Sequence, residues 1–236
     1  MKLKKHLSDQ TSFADLLNYA HLIDEGVMLN KDGAFLVSYQ FKGIDSHSAS
    51  GSELDALANS FNRMATLLDD GWMLHMDEVR VPSLNYAPLG AFPDAVSALI
   101  DTERCQYYEQ GEHYHNIQFL TFVWKFPLPV VKTTRHYFVE GLSKENDDQN
   151  LSQLLSEFNE RVTRCVNLLS TQCVLERLNS ADLLSYLNAC ISGEWLPISV
   201  PPNKSFIDVV LARKNVIGGY VPKVGNKSVR VISILG

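Results

Sequence analysis

Gly26-Val27-Met28-Leu29-Asn30-Lys31-Asp32-Gly33-Ala34-Phe35-Leu36-Val37-Ser38-Tyr39-Gln40-Phe41 is the stretch that decides the fold. Residues 26–30 and 34–41 are apolar runs of strand length. Lys31-Asp32-Gly33 between them carries the Asp-Gly signal of a tight hairpin, because glycine tolerates the positive φ such a turn needs. Two antiparallel strands so close in sequence must bury a face, so the rest of the chain is read for what covers them.

Upstream, Phe13, Leu16, Leu17, Ala20 and Ile23 recur at helical spacing and predict a short amphipathic helix. Downstream, Ser52 with Asp55 three residues later matches a capping box. Leu54, Leu57, Ala58, Phe61, Ala65 and Leu68 then form one helical stripe that ends at Asp69-Asp70-Gly71. Residues 72–81 alternate as a strand, with Trp72, Leu74 and Met76 on one face. A proline-rich loop covers 82–93. Pro93 suits the first turn of a helix through Ala95, Leu99, Ile100 and Tyr107.

Residues 118–126 are apolar on both faces, which places them in the middle of a covered sheet, and Pro127 and Pro129 stop them. The segment 130–150 ends in the polar run Lys144-Glu145-Asn146-Asp147-Asp148-Gln149-Asn150 and reads as a mobile loop or joint. A long helix follows, with Leu151, Leu154, Leu155, Phe158, Val162, Cys165, Val166 and Leu169 on one side. A second, capped by Ser180, carries Leu183, Leu184, Leu187 and Ile191. A prolyl loop, a helical turn over 206–211 and two strands near 216–221 and 229–235 complete the chain. The fold class is therefore α+β. A mixed, largely antiparallel sheet carries packed helices, with a helical subdomain and a terminal strand pair added. Its expected parts are 1–129, the joint 130–150, and 151–236, together one domain.

The chain has 236 residues, 45% hydrophobic and 20% charged, which excludes a disordered or fibrous protein. A chain this long buries roughly 70–75% of its unfolded surface and needs no disulfide or metal staple. Asp and Glu outnumber Lys and Arg by 27 to 21, a net charge of −6, which argues against a protein that coats nucleic acid. The four cysteines, Cys105, Cys165, Cys173 and Cys190, form no CxxC pair and read as reduced thiols. No run approaches the roughly 18 apolar residues of a membrane helix, so the chain is expected to be soluble and cytoplasmic.

Gly219, Gly225, Lys227 and Ser228 lie close together, but five residues separate the two glycines and Asn226 precedes the lysine. The GxxxxGK[ST] cradle for phosphates is therefore not formed. His113 and His115 could face one way on a strand and join His75 or Asp77 around a metal; the alternative is surface histidines. Asp101 and Glu103 could serve acid–base work, or form a solvated face with Arg104. A stand-alone hydrolase or metal-dependent enzyme would need His113 or His115 to converge with these carboxylates. Tyr107, Tyr108, Phe119, Phe122 and Trp124 lack the basic stripe that base stacking requires. Lys2, Lys4 and Lys5, with His6, are the candidate contacts to a partner or to an anionic membrane surface.

Ala14-Asp15-Leu16-Leu17 followed by the 26–33 stretch resembles the opening of the TrbE-type proteins, conjugal-transfer ATPases of type IV secretion systems in the CagE/TrbE family. The likeness continues through Phe92-Pro93-Asp94-Ala95, Asp101-Thr102-Glu103-Arg104, His113-Tyr114 and Phe119-Leu120-Thr121-Phe122. It resumes at Asp182-Leu183-Leu184-Ser185-Tyr186-Leu187, Ile217-Gly218-Gly219-Tyr220 and residues 229–236. The resemblance implies an N-terminal domain without catalytic or cofactor-binding residues of its own. The parent would be a hexamer-forming ATPase, using ATP and Mg through a C-terminal domain. It also implies docking on inner-membrane subunits of the secretion channel at the cytoplasmic face of the bacterial inner membrane, self-association, and no direct nucleic-acid contact. The apolar run Val231-Ile232-Ser233-Ile234-Leu235-Gly236, with no polar tail, fits a domain continued in a longer chain.

Overall fold

At the hairpin, β2 (Val27–Asn30) turns at Gly33, with φ +87°, into β3 (Phe35–Lys42). The Asn30 N–H donates to the Ala34 carbonyl at 2.8 Å and closes the turn. These elements come from a computed structural model that describes residues 12–45, 47–83, 86–87, 90–110, 113–126, 145–202 and 206–230, with backbone alone over 145–150. The preceding segment departs from the expected helix. Helix α1 spans only Phe13–Leu16, and β1 (Tyr19–Asp24) pairs antiparallel with β2. The spacing of Phe13, Leu16, Leu17 and Ala20 fits a helix locally. Pairing with a buried neighbour outweighs that weak preference from Tyr19 onward.

Helix α2 (Gly51–Ala65) starts at Ser50, whose partner is Glu53, one S-x-x-E pattern upstream of the expected Ser52 and Asp55. Strand β4 (Trp72–Pro82) follows a turn at Gly71, φ +89°. Helix α3 (Ala95–Glu109) begins after Asp94, which caps it, so Pro93 lies just before the cap and not in the expected first turn: the Asp94 carboxylate accepts the Ser97 N–H at 2.8 Å. Strand β5 (Tyr114–Trp124) pairs with β3 over seven residues and with β4 over eleven. It is the covered inner strand that its apolar faces imply. Helix α4 (Glu145–Leu169) begins inside the stretch expected as loop. A short strand that periodicity did not reveal, β6 (Val174–Arg177), then leads to α5 (Ser180–Ser192). Asn179, not Ser180, caps α5. Helix α6 (Ile207–Leu211) and a small sheet of β7 (Val216–Ile217), β8 (Lys223–Val224) and β9 (Lys227–Ser228) end the described chain. Where two terminal strands were expected, three short ones form, and residues 231–235 of the second lie outside the described residues.

The main sheet has the order β1-β2-β3-β5-β4, and every pairing in it is antiparallel. One edge of β3 is divided between two partners. Residues 35–37 pair with β2, and residues 39–42 with β6. At this seam Gly26 has φ +65°, and a Cβ there would sit 2.2 Å from the Leu178 carbonyl oxygen. Its N–H donates to Ser180 Oγ at 3.0 Å, and the Ser180 N–H donates to Glu25 at 2.8 Å. The residue displaced from the cap thus joins two distant strands end to end.

Alternation along the strands makes two cores. On one face Val27, Phe35, Val37, Leu120 and Phe122 pack beneath Met64 of α2 and Phe158, Val162, Cys165 and Leu169 of α4. On the other, Met28, Leu36 and Phe119 pack against Leu183, Leu184 and Leu187 of α5 and Ile207 and Leu211 of α6. All eight apolar residues expected on the long helix face the first core, Phe158, Val162, Cys165 and Leu169 buried in it and the other four half-buried against it. Each fully buried side chain contributes about 1.5–3 kcal/mol. No helix among the described residues is long and apolar enough to cross a membrane.

Candidate interaction surface

A helix of globular size normally buries one stripe, yet α3 buries none of its fifteen residues. It is held from behind by aromatic and polar contacts. The Tyr86 hydroxyl donates to Asp101 at 2.6 Å, which raises the Tyr86 phenol above its ordinary range. Tyr108 packs on Tyr86 and stacks on His113, with ring centroids 4.3 Å apart in the second pair, and Tyr107 meets the same imidazole edge-on. The Ser83 N–H donates to the His113 carbonyl at 2.7 Å, tying the loop after β4 to the start of β5. Backbone N–H donation from Ser97, with its hydroxyl, holds the Asp94 carboxyl below its usual range.

With its back face so anchored, α3 turns Val96, Leu99 and Ile100 outward, 66%, 60% and 47% exposed. Their spacing of three and four puts them on one face of the helix, with the exposed Glu103 one turn further along it. An exposed apolar cluster rimmed by polar residues marks an interaction site more often than scattered single residues do.

The candidate catalytic groups are dispersed. His113 is a packing platform between two tyrosines. His115 lies opposite Val81, while Asp77 lies opposite Phe119, four positions and about 13 Å along the same ladder. Asp77 accepts the Tyr186 hydroxyl at 2.6 Å on the α5 side of the sheet. Asp101 is taken by Tyr86, and Glu103 is an exposed residue of α3. His75 lines a separate cleft of about 570 Å³ with Tyr19, Asn30, Asp32 and Lys125, in which Lys125 pairs with Asp32 at 3.4 Å. Among the described residues no group of three or more His, Cys, Asp or Glu could hold a metal ion. Gly225, at φ +58°, makes the β8–β9 turn, and Lys227 donates to the Gly193 carbonyl at the end of α5, so these residues are structural. Lys2, Lys4 and Lys5 lie outside the described residues.

The sequence names Leu99, Ile100 and Tyr107 of α3 but not Val96, and does not tell that Leu99 and Ile100 stay uncovered among the described residues. The polar chain on the α5 side was likewise invisible. Tyr186 gives its one proton to Asp77, so Thr121 must donate to Tyr186 (2.9 Å) and Ser38 to Thr121 (2.8 Å). These four residues are far apart in sequence, and only the sheet register aligns them.

Residues 26–130 match the family described as type IV secretion system ATPase VirB4/TrbE, N-terminal domain. The chain is similar to a conjugal transfer protein TrbE of Rhizobium radiobacter, 27% identical over 99% of this chain and 30% of that protein. It is also similar to a protein of Sinorhizobium fredii (strain NBRC 101917 / NGR234) that is named as the first portion of a probable conjugal transfer protein TrbE. That match is 40% identical and covers 43% of this chain and 70% of that protein. The chain thus spans 30% of the length of the first relative. With 40% identity across most of the second relative, and the family's N-terminal domain matched from the hairpin glycine through β5, the chain belongs to the VirB4/TrbE family of type IV secretion system ATPases.

Proposed function

We propose that this chain is a non-catalytic docking and assembly domain of a conjugative-transfer ATPase. It binds inner-membrane subunits of the secretion channel at the cytoplasmic face of the membrane and supports oligomer assembly. ATP and Mg are used by a C-terminal domain of the parent protein. The single observation that carries this reading is the outward apolar cluster Val96, Leu99 and Ile100 of α3, anchored from behind and left uncovered among the described residues. Rigid presentation lowers the entropic cost of binding, and a few buried apolar anchors supply most of an interface's affinity. The scattered titratable groups support the non-catalytic half of the proposal.

The test is direct binding of the 236-residue chain to each inner-membrane subunit encoded beside it, by titration calorimetry in detergent. Leu99→Glu is expected to weaken one such complex at least about tenfold, because a carboxylate would be buried at its centre. Its melting temperature should match wild type, since Leu99 is solvent-exposed. Undiminished binding, or ATP turnover by this chain that Lys227→Ala abolishes, would refute the reading.

A further inference from the structure

Beyond Asp208 the chain has no further Asp or Glu but five lysines and arginines, although its net charge is −6. All five belong to the small terminal sheet and its flanks, so that sheet is basic while the remainder of the chain is acidic. The two ends of the sheet differ. At its base the Gly225 N–H donates to the Asn215 carbonyl at 2.8 Å, Lys214 pairs with Glu194 at 2.9 Å, and Lys227 donates to the Gly193 carbonyl. The Lys214 ammonium holds the Glu194 carboxyl below its usual range. The base is therefore fastened to the C-terminal end of α5 with its cations engaged.

At the other end the Val229 N–H donates to the Pro222 carbonyl at 2.8 Å, which sets residues 229–230 beside the loop of 218–222 between β7 and β8. Ile217 lies opposite Lys223, and Lys223 opposite Ser228. Ile217, Tyr220, Val221 and Val229 are all exposed at this tip, Tyr220 to 104%, as fully as in an isolated peptide. Around Gly218 and Gly219 nothing beyond their chain neighbours lies within 4 Å of where a Cβ would stand, so no described residue folds back over the loop. Lys223 and Arg230 flank the apolar residues. Among the described residues no carboxylate pairs with either.

A convex apolar tip flanked by unpaired cations has few matching partners. A protein would need a pocket shaped to the protrusion and carboxylates to meet its rim. A nucleic-acid strand uses successive aromatic platforms along a basic groove, and this tip has one aromatic on a protruding loop. An anionic lipid surface is fluid and needs no matching shape. Its acyl boundary takes up aliphatic side chains, its headgroup layer suits a tyrosine ring with a polar end, and its phosphates attract the flanking cations. The same surface repels the acidic remainder of the chain, so the basic sheet is the part that turns toward it. We infer that the tip formed by residues 217–223 and 229–230 binds anionic lipid headgroups and inserts Tyr220 with its aliphatic neighbours at the membrane interface. The inference rests on the reading above for placing the chain at a membrane. It gives the chain a lipid contact of its own, separate from the α3 cluster and independent of any subunit. Two cations and a few apolar side chains make that contact weak and salt-sensitive.

Co-sedimentation of the 236-residue chain with vesicles of phosphatidylcholine containing about 30% phosphatidylglycerol, and with vesicles of phosphatidylcholine alone, tests the inference. Binding is expected to the anionic vesicles only, and to fall as salt rises. Each cation at such a surface contributes about fivefold, so Lys223→Glu with Arg230→Glu should weaken partition at least about tenfold. Lys42→Glu with Arg63→Glu makes the same change in net charge at exposed positions elsewhere and should weaken it less than about threefold. Tyr220→Ser should also lose binding while melting as wild type does, because the ring packs on nothing. Emission from Tyr220→Trp should be quenched by brominated lipid beyond the level set by the three native tryptophans. No binding to anionic vesicles, equal losses in the two double variants, or no added quenching in Tyr220→Trp would overturn the inference. So would a chain that ignores vesicles and instead holds a single-stranded oligonucleotide or an inner-membrane subunit through Lys223 and Arg230. Leu99→Glu should bind vesicles as wild type does. Loss of subunit binding with vesicle binding intact refutes docking through α3 alone, and the reverse result refutes the lipid contact alone.

Discussion

Tyr186 shows how one side chain joins the layers. Its hydroxyl spans from α5 to Asp77 on β4 and accepts from Thr121 on β5. Burial first, then the neighbouring Cys190 and Asp77, raises its phenol above the ordinary value near 10. A raised value means the folded protein keeps the proton after the unfolded chain has lost it. The associated stability is complete below about pH 10 and is lost as pH rises through the folded value. Tyr186→Phe is expected to cost about 1–3 kcal/mol near neutral pH, since it leaves the Asp77 carboxylate without its donor. It should also give a shallower loss of stability above about pH 10 than wild type. Urea midpoints measured from neutral pH upward would show both effects. Parallel curves would mean the phenol titrates alike in both states.

At the scale of elements, α2 separates two readings of one sequence. Ser50-x-x-Glu53 and Ser52-x-x-Asp55 both carry the capping spacing, and sequence alone ranks them poorly. In the structure the Glu53 carboxylate accepts the Ser50 N–H at 2.7 Å, and Ser50 Oγ faces the Glu53 N–H. That reciprocal bonding holds the Glu53 carboxyl below its usual range. Ser50→Ala should therefore cost about 1 kcal/mol and Ser52→Ala less than about 0.5 kcal/mol, read from thermal midpoints. Equal losses would return the cap to Ser52. The same ambiguity accounts for other departures. Tyr19 to Asp24 follows helical spacing yet pairs as a strand, because β2 offers a buried partner. Strand β6 has four residues, too few for a period, and exists because half an edge of β3 is open to it. By contrast the hairpin, β5 and the face of α4 were legible, since turn chemistry or long periodicity dictates each. In α3, Leu99 and Ile100 were legible as apolar and illegible as exposed, and Val96 was not singled out. Periodicity reports which residues share a face, and only the assembled sheet reports what that face meets.

The whole molecule is organised by two inner strands shared between two cores. Phe35, Val37, Leu120 and Phe122 face the core under α2 and α4, while Leu36 and Phe119 face the core under α5 and α6. Loss of packing on one face therefore loosens the strands that the other face requires. The seam at Gly26, whose N–H donates to Ser180 while the Ser180 N–H donates to Glu25, ties α5 to the edge of the hairpin as well. Phe158→Ala empties a fully buried site in the first core, and Leu184→Ala empties one in the second. Each is expected to cost about 2–5 kcal/mol. Coupling through β3 and β5 predicts that both variants shift one common unfolding transition, seen alike by far-ultraviolet dichroism and tryptophan fluorescence. Amide exchange in α5 should quicken in Phe158→Ala, although no residue of α5 belongs to the core that substitution disrupts. Two separated transitions, or α5 exchange unchanged in Phe158→Ala, would show that the faces unfold independently and that the central strands do not transmit the loss.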